Sequence, residues 1–134
     1  MELIRLISIE RYYKNNGQEA ERVARFTLTG ELAKADNIRH DLGSDCLDIQ
    51  IKSARATVCK GTDLEQYLAL DASNRFGYVT ADFQMMYIMN RTEYKLFVDE
   101  FGTVTRESGK NGGNEKIRLK HESVAMIEWF KKRI

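Results

Sequence analysis

Between Asp41 and Lys60 the chain sets carboxylates, an amide and ammonium groups beside an alternating apolar run, and no other stretch so narrows what it can become. Leu47, Ile49 and Ile51 alternate with Asp48, Gln50 and Lys52. A period of two sends the apolar side chains to one face of a strand and the polar ones to the other. One face is expected to pack and the other to do chemistry. Gln50 and Lys52 share the polar face, and Asp41, Asp45 and Asp48 lie close in sequence. Oxygen ligands of that kind suit a hard cation such as Mg2+ or Mn2+, with an ammonium beside it. A strand rises about 3.3 Å per residue, so on one straight strand Asp45 and Gln50 would stand roughly 16 Å apart and could not share an ion. Gly43, Ser44 and Asp45 must then form a turn or bulge, or Asp41 on a preceding strand is the partner of Gln50.

Gly43-Ser44-Asp45 followed by Gln50-Ile51-Lys52 resembles the PD-(D/E)xK superfamily of restriction-endonuclease-like nucleases, and within it the Gln-x-Lys variant of Mrr-type restriction enzymes. The chain departs from the acidic form of the motif at Gln50, whose amide still offers a carbonyl oxygen but removes a negative charge from the site. The resemblance implies an α/β fold with an αβββαβ core, a central mixed sheet flanked by helices. It also implies metal-dependent hydrolysis of DNA phosphodiester bonds. Asp45 or Asp41, with Gln50, would hold Mg2+ or Mn2+, and Lys52 would position or deprotonate the attacking water. Gly17-Gln18-Glu19-Ala20-Glu21 is similar to the opening of the first helix in several such nucleases, which implies a place for Glu21 at the metal site. Geometry and the resemblance together lead us to expect that so small a domain cuts duplex DNA as a homodimer.

Helix signals surround the site stretch. Asn16 with Glu19 has capping-box spacing, and the apolar positions that follow predict a helix over residues 17 to about 32. Thr62 with Glu65 predicts a second, buried through Leu64, Tyr67 and Leu68, and Asn90 with Glu93 a third, buried through Tyr94, Leu96 and Phe97. The runs at residues 75–80 and 83–89 read as a hairpin or two neighbouring strands, with Phe76, Tyr78, Met85, Tyr87 and Met89 as packing. Residues 103–106 and 116–120 are short β-like segments, and a closing helix is expected over residues 123–132. Residues 1–13 fit either a helix or a strand. The order of elements agrees with an αβββαβ core over residues 16–80 of a single domain, followed by a basic extension over residues 81–134.

Phosphate contacts are expected from Ser53, Arg55 and Lys60, which continue a polar and partly basic series after Lys52. The glycine-rich segment at residues 107–114 reads as a DNA-contacting loop carrying Arg106 and Lys110, although its composition also fits a plain exposed turn. A net charge of +1 argues against a passive polyanion binder, yet leaves room for an enzyme with acidic ligands and a basic face. Nucleotide-binding glycine motifs and serine or cysteine nucleophile motifs are absent from the sequence. Cys46 and Cys59 lack metal-finger or redox spacing and are expected to be reduced thiols. With no apolar run of membrane-spanning length and no signal-peptide pattern, a cytoplasmic location is expected. Two other classes stay open: a catalytically inactive nucleic-acid-binding module on the same fold, and a phage- or plasmid-type interaction protein.

Overall fold

The structure, a computed structural model, describes residues 1–32, 48–71, 73–106 and 114–134. In chain order its elements are β1 (Glu2–Arg5), α1 (Asn16–Thr29), β2 (Ile49–Lys52), β3 (Thr57–Lys60), α2 (Leu64–Leu70), β4 (Arg75–Val79), β5 (Met85–Asn90), α3 (Arg91–Phe101), β6 (Gly102–Arg106), β7 (Glu115–Leu119) and α4 (Val124–Lys131). They form a mixed α/β protein with two sheets. The first is ordered β1-β5-β4-β2, antiparallel except where β2 runs parallel to β4. The second, β3-β7-β6, is antiparallel.

A parallel pair needs a crossover, and the chain makes it through β3 and α2. Both faces of the first sheet are covered, so its inner strands are apolar on both sides. On one face Gly77 and Val79 of β4, Met86 and Ile88 of β5, and Ile49 and Ile51 of β2 meet Ala20, Val23 and Ala24 of α1. On the other, Phe76, Tyr78, Tyr87 and Met89 join Tyr94, Phe97 and Phe101 of α3, Met126 and Phe130 of α4, and the inner side of the second sheet. Phe76 stacks on Tyr94 at 3.9 Å between centroids and Tyr87 on Phe130 at 4.3 Å. The sheet does not stop at Thr80: β5 lies between β1 and β4, and the third and fourth helices pack into the same cluster as Phe76.

Local signals explain most boundaries. Asn90 accepts from the backbone of Glu93 at 2.8 Å while the Glu93 carboxylate accepts from the Asn90 N–H at 2.9 Å, a complete capping box. The inward stripe of α3 is Tyr94, Phe97, Val98 and Phe101, so Leu96 falls out of phase and is 52 % exposed, against the inward position expected for it. Gly102 follows at once, and a Cβ there would lie 2.5 Å from the Val98 carbonyl oxygen, so only glycine allows the direct passage from α3 into β6. Asp63 rather than Thr62 caps α2 and accepts from Gln66 N at 3.0 Å.

The first helix starts one residue earlier than its sequence suggests and ends sooner. Asn15 is the cap, accepting from Gln18 N at 3.1 Å, and Gly30 closes the helix in the left-handed region at φ 76°. Glu19, the expected capping partner, is instead buried at 1 % exposure. Its carboxylate accepts from the Tyr12 and Tyr13 N–H groups and bridges Arg22 at 3.1 Å, and Arg22 also donates to the Glu10 carbonyl. A buried carboxylate is tolerated only when paired and hydrogen-bonded. This one fastens the segment before the helix onto the helix itself.

Candidate functional site

The alternation of β2 is realised. Ile49 and Ile51 are buried at 1 % and 5 % exposure against α1, and Gln50 and Lys52 leave the opposite face, half-buried, in register with Phe76 and Tyr78 of β4. The strand begins only at Ile49, because Asp48 takes a positive φ of 45°. Asp48 is thereby turned towards Asn74: its Oδ2 accepts from Asn74 N at 2.9 Å and from Asn74 Nδ2 at 2.6 Å. Of the candidate carboxylates, this one acts as a latch between the start of β2 and the start of β4.

Gln50 Oε1 has a long contact, 3.5 Å, from the Ser73 hydroxyl. Lys52 Nζ donates to the Thr57 carbonyl at 3.1 Å, tying the end of β2 to β3, and its charge reaches Cys59. Burial raises the Cys59 thiol above its ordinary value, while a backbone hydrogen bond from Ile117 and the nearby ammonium act the other way. Cys59 is a free thiol, as expected, and is buried at 3 % exposure.

Asp41, Asp45 and Lys110 lie outside the described residues, so the structure bears only on the Gln50 and Lys52 half of the proposed ligand set. Among the described residues no group of three histidine, cysteine, aspartate or glutamate side chains is placed to hold a metal. Glu21 is half-buried on α1. That helix covers the Ile49 and Ile51 face of β2, the face opposite the one that carries Gln50 and Lys52.

The expected phosphate-contacting residues divide. Ser53 is 6 % exposed, and its carbonyl accepts from Ala56 N at 3.1 Å, closing a turn that carries the chain out of the first sheet. Thr57–Lys60 is consequently a strand of the second sheet and not a continuation of β2. Arg55 sits in that turn at φ 66°, with Nη1 2.8 Å from His121 Nε2. Its carbonyl accepts from Arg118 Nε at 2.7 Å. Lys60 is exposed and opposite Lys116, and Arg106 is bridged to Glu115 at 3.3 Å.

Arg118 and His121 are thus brought to Arg55 from more than sixty positions away, a grouping that no local pattern in the sequence announces. Around them open two clefts. One, of about 590 Å3, lies past the carboxyl end of β2 and is lined by Ser53, Thr57, Arg118, His121 and the first turn of α1. The other, of about 630 Å3, is lined by Thr103, Thr105, Arg118, Lys120 and His121 over a floor that includes Phe101 and Leu119. Glu122 borders the first cleft, but its Oε1 is occupied by the Tyr78 hydroxyl at 2.8 Å and the Ala81 N–H at 3.0 Å. The arrangement is a cationic ridge at the carboxyl end of a parallel strand pair, where open α/β sheets commonly bind ligands.

Comparisons with protein-family models, with curated proteins and with solved structures give no significant match. Among the described residues no helix is long and apolar enough to cross a membrane.

Proposed function

We propose that the chain is a metal-dependent DNA endonuclease, a phosphodiester hydrolase with a restriction-endonuclease-like core. The observation that carries this reading is the shared placement of Gln50 and Lys52 on one face of β2, beside the parallel strand β4, although neither side chain lines the two clefts at Arg55. Its sequence support is the resemblance of Asp45, Gln50 and Lys52 to the nuclease motif; among the described residues only β2 and β3 lie between α1 and α2, where the αβββαβ core has three strands, and β3 belongs to the second sheet. Among the described residues Gln50 Oε1 has a single, long hydroxyl contact, which suits a ligand oxygen. Asp48 is committed to Asn74, so the carboxylates assigned to the metal are Asp45 and Asp41. Bound Mg2+ or Mn2+ would supply an activated water and neutralise phosphate charge there. Lys52, held by the Thr57 carbonyl, would direct its ammonium to the attacking oxygen, and Arg55 would hold the flanking phosphate. A cytoplasmic, homodimeric enzyme is the setting in which such a domain would cut both strands.

A second reading follows from the same geometry: a nucleic-acid-binding module without hydrolysis. It is favoured by the neutral amide at position 50 and by the engagement of Lys52 and Asp48 with backbone and Asn74. Incubation of purified protein with supercoiled and single-stranded DNA in Mg2+, Mn2+ or EDTA separates the two. The nuclease requires metal-dependent nicking that Lys52→Ala and Asp45→Ala both abolish. Intact plasmid in every metal, with salt-sensitive DNA binding retained, would leave the binding module.

A further inference from the structure

We infer that the outward face of the β3-β7-β6 sheet, with Arg55 at its end, is a docking surface for the phosphate backbone of duplex DNA. The inference rests on the nucleic-acid part of the proposed function but requires neither metal nor hydrolysis.

The sheet has one buried side. On β7, Ile117 and Leu119 turn into the core at 8 % and 1 % exposure, which sends Lys116, Arg118 and Lys120 to the other face. Alternate side chains on a strand are roughly 7 Å apart, so these cations form a row along it. Hydroxyls flank the row: Thr103 of β6 and Thr57 of β3 stand opposite Arg118 on either side. Lysine, arginine and threonine in such a row are the side chains that bond phosphate oxygens.

Arg55 prolongs the row at some conformational expense. Non-glycine residues seldom adopt a φ of 66°, and strain of that kind gathers where a side chain must be held in one place. Here Arg118 fixes the carbonyl and His121 the guanidinium. An arginine can only donate, so His121 Nε2 accepts and its ring proton sits on Nδ1. Of the described carboxylates nearby, Glu115 is bridged to Arg106, while Glu122, held by neutral donors from Tyr78 and Ala81, and Glu100 keep their charge beside the clefts and are outnumbered by the cations of the face.

The partner follows from what the face lacks as well as from what it carries. Strands β3, β6 and β7 contain no phenylalanine, tyrosine or tryptophan, and Phe101 in the floor of the larger cleft is only 8 % exposed, whereas sheet surfaces that read single strands stack bases on aromatic rings. Cations and hydroxyls without a stacking platform fit the backbone of a duplex, with little dependence on sequence.

The test is binding of a short labelled duplex and of its single strand, measured by fluorescence anisotropy across a salt series in EDTA so that no strand is cut. Lys116→Gln with Lys120→Gln is compared with Arg5→Gln with Arg25→Gln, which removes the same charge from β1 and α1. Arg118→Gln is a third variant, kept separate because it also releases the Arg55 carbonyl, and thermal melting confirms that each protein is folded. The expected result is preference for the duplex, an affinity lowered on the order of tenfold at low salt in the β7 variant, and a salt slope reduced by roughly 0.9 per charge removed, with the control unchanged. Equal binding by the β7 variant and the wild type would overturn the surface, even if metal-dependent cleavage is found. Tighter binding of the single strand would overturn the duplex assignment. Failure of the wild type to bind any DNA would overturn both the surface and the binding module. Loss of binding in the β7 variant of a protein that cuts nothing would uphold the surface and refute the hydrolase.

Discussion

The two sheets solve different problems with similar strands. The first is closed on both faces, aliphatic towards α1 and aromatic towards α3 and α4, and four of the five residues of β4 are buried. The second alternates, with Ile117 and Leu119 inward and Lys116 and Arg118 outward. What a substitution costs in stability should follow the first sheet, and what it costs in binding should follow the second.

The widest gap between them is expected at Phe130. Its ring is wholly buried and lies within stacking range of Tyr78, Tyr87 and Phe97. Phe130→Ala should lower the unfolding free energy by about 3–5 kcal/mol, because it removes both transfer energy and the packing of three rings. Lys120→Gln, exposed at the end of β7, should change it by less than about 0.5 kcal/mol. Urea denaturation of both variants gives the comparison directly. A loss at Phe130 as small as that at Lys120 would mean that the aromatic cluster does not hold the fold.

A smaller effect, with a pH signature, is expected where the two regions meet. The Tyr78 phenol is pushed well above its ordinary value by burial, and further by the hydrogen bond and charge of Glu122; Tyr94 is raised in the same direction. Above pH of about 10, the ordinary phenol value, the unfolded chain loses these protons first, so the folded state binds more of them. Stability must then fall as pH rises through that range. Tyr78→Phe should cost about 0.5–1.5 kcal/mol at neutral pH through the lost hydrogen bond, and should flatten the alkaline decline. Denaturant midpoints for the two proteins on either side of that pH decide it, and parallel declines would contradict the assignment.

Legibility in the sequence divides along the same line. The capping box of Asn90 and Glu93 can be read because both halves lie within one turn. The alternation of Ile49 to Lys52 can be read because its period is local. The choice between Asn15 and Asn16 as a cap cannot, since either side chain is competent and the decision falls to Glu19, which is drawn to the Tyr12 and Tyr13 N–H groups. The turn that separates β2 from β3 is invisible for another reason. Its left-handed position is occupied by an arginine, so the glycine or asparagine that normally marks such a turn is missing. A reader of the sequence carries the polar series straight on from Lys52 to Lys60, and so misses the second sheet and the convergence of Arg55, Arg118 and His121 upon it.

That turn supplies the smallest effect and the sharpest contrast. Relief of the left-handed strain should make Arg55→Gly more stable, whereas its contacts with His121 are exposed and contribute little. Strain relief of about 1 kcal/mol is offset by the greater freedom of glycine in the unfolded chain, roughly 0.5–1 kcal/mol, so the net change should lie between neutral and slightly stabilising. Arg55→Ala keeps the strain and loses the guanidinium, and should be the less stable of the two. If the cationic face binds DNA, both variants should lose affinity alike, because what binding loses is the charge. Stability and affinity would then move independently at a single position. Should Arg55→Gly melt earlier than Arg55→Ala, the left-handed conformation would not be a source of strain, and the argument that this turn is held for binding would lose its basis.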